Sequence, residues 1–303
     1  MTSTTPVSSE QASALRRGFD GFDLRAANRD GVSLGYRIAG TGPGVVLLHG
    51  YPQTGYCWHT VAAELASDHR VIVPDYRGAA GSDIPETGYD KENMAQDLAV
   101  VLDDAGVDSV HVVGHDFGMM IGYAYARLFP TNTRTLTVLD AILPGVPSFR
   151  KMIGASGLWH FGFNSQVQMA TDLVRGRERI YFDWYFDNFC SDPSIISDED
   201  REFYVAAAQR PGALASQFRL YSASVAEDEE ANERALETGG KLKIPVMGVG
   251  GAYSIGAGIA AVIEEVATDT RVLSVEGAGH YLAEEQPDLI ASALRDFFKE
   301  HSS

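Results

Sequence analysis

Three observations predict an α/β fold, a mostly parallel eight-stranded sheet with an inserted helical cap. Short β-branched runs alternate with longer helical patterns over the first half of the chain, the alternation stops between about Pro144 and Ala226, and it then resumes. Alternating βα units imply parallel strands joined by right-handed crossovers. The interruption, rich in aromatics, reads as the cap.

Phe22–Ala27 and Val32–Ala39 form an expected hairpin through the turn-rich tetrad Asn28-Arg29-Asp30-Gly31. Val45–Leu48, Val71–Pro74, Val110–Val113 and Leu136–Leu139 are nearly all apolar, as strands buried on both faces must be. Cys57–Ser67, Lys91–Ala105 and Asp116–Phe129 read as crossover helices, the last stopped by Pro130. After the break come strand Ile244–Gly250, a helix near Ala257–Val266, strand Arg271–Gly277 and a final amphipathic helix from Pro287 to Lys299. The expected division is residues 1–143 and 227–303 for the two parts of the core and 144–226 for the cap.

The 303 residues suffice for one large domain with an insertion, and 45% hydrophobic with 21% charged residues is an ordinary globular mixture. A net charge of −17 makes nucleic acid and anionic membrane surfaces poor partners. Two distant cysteines, Cys57 and Cys190, define neither a disulfide framework nor a metal site. The Ser/Thr-rich N-terminus is expected to fray, and it carries no apolar run after Arg16-Arg17 of the kind a secretory signal needs. No stretch approaches the ~20 apolar residues of a membrane span. A cytoplasmic protein, monomeric or homodimeric, is the expectation.

Chemistry concentrates at Val112–Met120, VVGHDFGMM. Gly114 and Gly118 flank Asp116 at the spacing of a nucleophile elbow, a sharp strand-to-helix turn that exposes its central side chain and crowds the backbone two residues to either side. A helix-capping aspartate would share part of this pattern. A carboxylate nucleophile attacks carbon and leaves an alkyl ester, whose hydrolysis needs a base for water, a partner for that base and donors for an oxyanion. His280, in EGAGHYLAEE after the last strand, can reach over the sheet to the elbow. The loop after the seventh strand, GVGGAYSIGAG, has no acid, whereas Asp140 stands at the end of the sixth strand and is the expected partner of the imidazole. The backbone N–H groups of Phe117 and of Tyr51, which precedes Pro52 in HGYPQ, are the expected oxyanion donors. Gly256-Ala-Gly258-Ile-Ala-Ala261 with Glu276 mimics a dinucleotide fingerprint, but Gly250 to Ser254 separate it from the strand, so no cofactor is expected. No metal-ligand cluster is visible either.

The motifs HGYPQ, DYRGAAGSD, GHDFG, VLDAILPG and GAGHYLAEE, spread over nearly the whole chain, resemble those of the α/β-hydrolases. An aspartate nucleophile narrows the resemblance to epoxide hydrolases and the haloalkane and fluoroacetate dehalogenases. Haloalkane dehalogenases place a tryptophan after the nucleophile, and fluoroacetate dehalogenases place arginines there and three residues on. Here those positions hold Phe117 and Met120. The resemblance therefore points to an epoxide hydrolase, in which two cap donors hold and protonate the epoxide oxygen. LWHFGF and QFRLYSAS are similar to the Cif-type branch with its His/Tyr pair, which implies His160 and Tyr221 as donors, with Tyr181, Tyr185 and Tyr204 as alternatives for the second. His160-Phe161 stands where the fluoroacetate dehalogenases carry His-Trp, and Ser-Ala-Ser replaces an arginine often found after the tyrosine. The best-known Cif-type enzyme has a Glu where Asp140 stands. Trp159, Phe161 and Trp184 are expected to line a pocket for a small apolar epoxide. Water is the co-substrate. A dehalogenase of the same fold and a non-catalytic ligand-binding homologue are the competing readings.

Overall fold

The computed structural model describes residues 12, 15–153 and 158–301. The N-terminal stretch expected to fray lies largely outside the described residues. Strands β1 (Asp23–Arg29) and β2 (Val32–Ala39) pair antiparallel with Arg29 opposite Val32. The turn is thus only two residues, Asp30 and Gly31, with φ of 53° and 86°. Two successive positive φ values match the right-handed twist of the flanking strands.

Strands β3 (Gly44–Leu48), β4 (Arg70–Pro74), β5 (Val110–His115), β6 (Thr133–Leu139), β7 (Leu242–Gly251) and β8 (Ala267–Val275) complete one sheet of order β1-β2-β4-β3-β5-β6-β7-β8. Only β2 runs against its neighbours; the other pairs are parallel. Every residue of β3 and β5 is buried, which accounts for their unbroken apolar runs. Strand β8 begins four residues earlier than the apolar pattern indicates. Its first residues, Ala267-Thr268-Asp269-Thr270, sit on the sheet edge, where backbone pairing with β7 needs no apolar side chain.

Helices α1 (His59–Leu65), α2 (Lys91–Asp104) and α3 (Phe117–Leu128) are crossovers. The first is shorter than its sequence pattern because Thr54 caps a tighter 3₁₀ turn over Gly55–Trp58. Between β6 and β7 lie α4 (Pro147–Ile153), α5 (Trp159–Asn164), α6 (Val167–Val174), α7 (Glu178–Phe189), α8 (Asp198–Gln209), α9 (Ala213–Ala223) and α10 (Glu229–Gly239). A π-helical turn over Ser224–Asp228 joins α9 to α10 without a break. The boundary expected at residue 226 falls inside this continuous helical stretch, which ends only at Gly239-Gly240. Helices α11 (Ile259–Val266), α12 (Leu282–Glu285) and α13 (Pro287–Glu300) follow β7 and β8. No helix among the described residues is long and apolar enough to cross a membrane.

The strand order fixes where a site belongs. From β3 the chain goes to β4 on one side and returns to β5 on the other. The loops leaving β3 and β5 therefore diverge and open a crevice at the carboxyl edge of the sheet, the usual ligand position in α/β folds. The loop 49–53, the turn at Asp116 and the residues after β6, β7 and β8 all gather there.

Candidate active site

Asp116 occupies the turn between β5 and α3 with φ 50° and ψ −121°, a conformation that costs an L residue about 1–3 kcal/mol and persists only where its surroundings enforce it. The enforcement is crowding. A Cβ on Gly114 would lie 2.4 Å from the Gly118 carbonyl oxygen, and one on Gly118 would lie 2.2 Å from the Leu48 carbonyl oxygen. Alanine at either place collides with backbone that cannot yield, so both glycines are required.

The carboxylate is held at both oxygens. Its Oδ1 accepts from the backbone N–H of Phe117 and from that of Tyr51 at 3.4 Å. Its Oδ2 stands 3.4 Å from Nε2 of His280. Burial alone would raise the Asp116 pKa, but the bond and charge of His280 outweigh it and hold the carboxyl below its usual range.

His280 leaves the sheet after β8, and its backbone N–H donates to the Phe189 carbonyl at 2.8 Å. On its other side Nδ1 donates to Asp140 Oδ1 at 2.8 Å. Asp140 follows β6 with φ 39° and is itself fixed by the Gly251 N–H at 2.9 Å and the Ser254 hydroxyl at 2.6 Å. Burial opposes charge on His280, yet the flanking carboxylates Asp116 and Asp140 prevail and raise it to about 10.

The loop around His280 has a second anchor that sequence reasoning missed. The carboxylate of Glu285 accepts the N–H of Gly279 at 2.8 Å, of Tyr281 at 3.0 Å and of Ser191 at 2.7 Å, besides the Ser191 hydroxyl at 2.6 Å. It thereby clamps the residues on either side of the imidazole. Ser254 was missed as well. Its only sequence signal was a hydroxyl in a strand-to-helix loop otherwise devoid of polar side chains apart from Tyr253.

Asp116, Asp140 and His280 open into a cavity of about 420 Å³. Across it stand His160, Tyr185 and Tyr221, and Met120, Phe161 and Phe189 are among its apolar walls. Among the described residues no lysine or arginine lines it. His160 is buried, its Nδ1 has no partner among the described residues, and burial lowers its pKa to about 4, so the ring is neutral near pH 7. The rings of His160 and Tyr221 are perpendicular with centroids 5.9 Å apart. Tyr221 rests edge-on against Phe117 at 4.7 Å and Phe161 at 5.1 Å. Burial pushes its phenol well above its ordinary range, which keeps the proton on the oxygen.

Of the three alternative tyrosines, two lie off the cavity and one lines it. Tyr204 donates to Glu284 at 2.8 Å and Tyr181 to Asn164 at 2.5 Å, and neither lines the cavity. Tyr185 does line it, accepting from the Asn164 amide at 3.0 Å. Two of the three expected pocket aromatics are corrected. Phe161 is a wall residue, but Trp159 and Trp184 are absent from the lining. Trp159 is 45% exposed and packs against Trp184 with centroids 5.0 Å apart. Successive helical residues point about 100° apart, so His160 facing the cavity turns Trp159 away from it. The glycine-rich segment set aside as a false fingerprint contributes Gly258 to the wall, beside Ile255 just before it.

Residues 43–287 match the family model described as the alpha/beta hydrolase fold. The chain is 32% identical to a soluble epoxide hydrolase of Corynebacterium sp. (strain C12), over 89% of this chain and 94% of that protein. It is 28% identical to a fluoroacetate dehalogenase of a Burkholderia species, over 94% and 96%. Among solved structures, the ligand-free epoxide hydrolase CorEH superposes with a TM-score of 0.85 at 31% identity, covering 92% of this chain and 99% of that one.

Proposed function

From the premise that the chain belongs to the alpha/beta hydrolase family, with epoxide hydrolases among its homologues, we propose that it is an epoxide hydrolase converting a small apolar epoxide to a vicinal diol. One observation carries the reading. A carboxylate, Asp116, stands where the elbow presents its nucleophile, and it faces two neutral donors, His160 and Tyr221, across an apolar cavity.

In the proposed reaction the epoxide oxygen accepts from His160 and Tyr221, a pairing of the Cif type. Oδ2 of Asp116 attacks an epoxide carbon, the carbon–oxygen bond of the ring breaks, and the departing oxygen takes a proton from this pair. The product is a hydroxyalkyl ester. Alkylation removes the negative charge of Asp116, one of the two carboxylates that raise His280, so the imidazole becomes a stronger acid and returns a proton to the cap donor that gave one up. Its neutral form then takes a proton from water, whose oxygen attacks Cγ of Asp116. Charge develops on Oδ1, where the Tyr51 and Phe117 N–H groups already converge. Collapse expels the diol oxygen, which takes the proton from the His280 imidazolium, and the acid left on Asp116 passes its own proton to His280, restoring the carboxylate and the imidazolium. Asp140 holds the imidazole in place and stabilises its cation. The helices between β6 and β7 act as the cap.

The dehalogenase reading uses the same attack on carbon, and the Burkholderia relative supports it. A haloacetate carries a carboxylate, however, and among the described residues no lysine or arginine lines the cavity to receive it. The test is intact-protein mass spectrometry of His280→Gln with a reactive epoxide. A mass gain equal to one epoxide, absent in His280→Gln combined with Asp116→Asn, is expected. No adduct together with fluoride release from fluoroacetate by the unsubstituted protein would transfer the assignment to the dehalogenases.

A further inference from the structure

Tyr221 belongs to a helix that a buried lysine ties to the core. Lys91, the first residue of α2, is 3% exposed, and its ammonium donates to Asp228 Oδ2 at 2.7 Å, the Leu220 carbonyl at 3.0 Å, the Ser224 hydroxyl at 3.1 Å and the Tyr89 carbonyl at 3.3 Å. The backbone N–H of Lys91 donates to the other oxygen of the same carboxylate at 2.8 Å. Asp228 is equally buried, and it closes the π-helical turn that follows Tyr221. Leu220, Ser224 and Asp228 thus bracket Tyr221 in sequence, and one cation holds all three.

A buried ion pair is poorly explained by stability alone, because well-packed apolar residues of similar volume commonly stabilise a fold as much or more. Its distinctive property is directional bonding, and here the bonds converge on the turn that sets the rotation of α9. π-helical turns recur at functional sites, and their wider turn shifts the phase of one flanking helical stretch against the other. The Lys91 ammonium also lies 5.1 Å from the centre of the Phe117 ring, the surface on which Tyr221 rests. The Phe117 N–H, by contrast, is placed by the elbow and by α3, and does not depend on Lys91.

We propose that the buried Lys91–Asp228 pair is a positioning device for Tyr221, fixing the phenol over Asp116 so that it acts on ring opening and not on ester hydrolysis. The inference rests on the proposed reaction. It assigns no contact with substrate to either residue.

The experiment separates the two steps by rapid quenching and intact-protein mass spectrometry. Adduct formation is read in the His280→Gln background, and decay of the adduct in proteins retaining His280. Lys91→Met is expected to slow adduct formation by about 10–100-fold, the penalty of a misplacement of about 1 Å, and to leave decay within about twofold. Lys91→Arg should recover most of the rate. In a Tyr221→Phe background, Lys91→Met should cost almost nothing further, since both changes remove the same interaction. Where Lys91→Met fails to fold by circular dichroism, Asp228→Asn supplies the same comparison. Equal slowing of both steps, or full additivity with Tyr221→Phe, overturns the proposal. Failure of the proposed reaction is distinct: it appears as no adduct in the His280→Gln parent itself, and the positioning role falls with it.

Discussion

Replacing Asp140 by Asn separates the two halves of the proposed reaction. The Asp140 carboxylate accepts three bonds, from Gly251, Ser254 and His280. An amide offers one acceptor oxygen in place of two, so its NH₂ must face a donor on one side. The larger effect is electrostatic. Once Asp116 is esterified, Asp140 is the remaining flanking carboxylate of the imidazolium that forms as His280 deprotonates water. Two opposite charges about 4 Å apart at an effective dielectric of about 20 interact by about 4 kcal/mol, which is about 10³-fold in rate. Ring opening generates no such cation and should change by less than about tenfold on the same scale. The assay is quenched single turnover with mass detection of the ester, which should accumulate in Asp140→Asn and decay about 10³-fold more slowly than in the unsubstituted protein. Decay within about tenfold of the unsubstituted rate, or equal slowing of formation and decay, would refute the reasoning.

Glu285→Gln sets an amide against a set of four donations, and a buried unmatched donor costs about 1–3 kcal/mol. A lower midpoint in urea and slower ester decay than formation are expected; unchanged decay would show that the clamp does not place His280. A single turnover in ¹⁸O-labelled water should leave the label in the peptide containing Asp116 and not in the diol, because water attacks Cγ while Oδ2 departs with the product. Stability should peak near pH 6.5 in thermal melts. On the acid side His49, His111, His115 and His160 have pKa values lowered from 6.5 to about 3–4, burial being the first cause in each, so the stability they confer above pH 6.5 is lost as pH falls through those values. On the alkaline side Glu284, raised by burial from 4.5 to about 8, and His280, raised from 6.5 to about 10, both lose their contribution as pH rises through those values. A melting temperature still rising at pH 9 would contradict these assignments.

Much of the scaffold was legible because burial on both faces leaves a one-dimensional trace. Val45–Leu48 and Val110–Val113 lie within β3 and β5, and the polar start of β8 escaped notice because an edge strand needs no such trace. The elbow was legible for a steric reason: only glycine fits at 114 and 118. The approach of Asp140 and His280, 140 residues apart, followed from strand order, since both leave the carboxyl edge of the sheet. Glu285, Ser254 and Lys91–Asp228 left no comparable signal, because an acid on a helix or a serine in a loop is equally at home in solvent.

The sequence by itself determined the α/β scaffold and the exposure of Asp116 at its turn, both consequences of local sterics and of burial repeated along the chain. Which aromatics face the cavity was decided only in three dimensions. Trp159, Tyr181, Trp184 and Tyr204 have the composition of a pocket, yet they turn away from it, while Tyr185 and Tyr221 turn toward it. The helices between β6 and β7 owe their rotation to packing between faces distant in sequence and to ties such as Lys91–Asp228, and the period of a single helix carries no record of which neighbour will cover it.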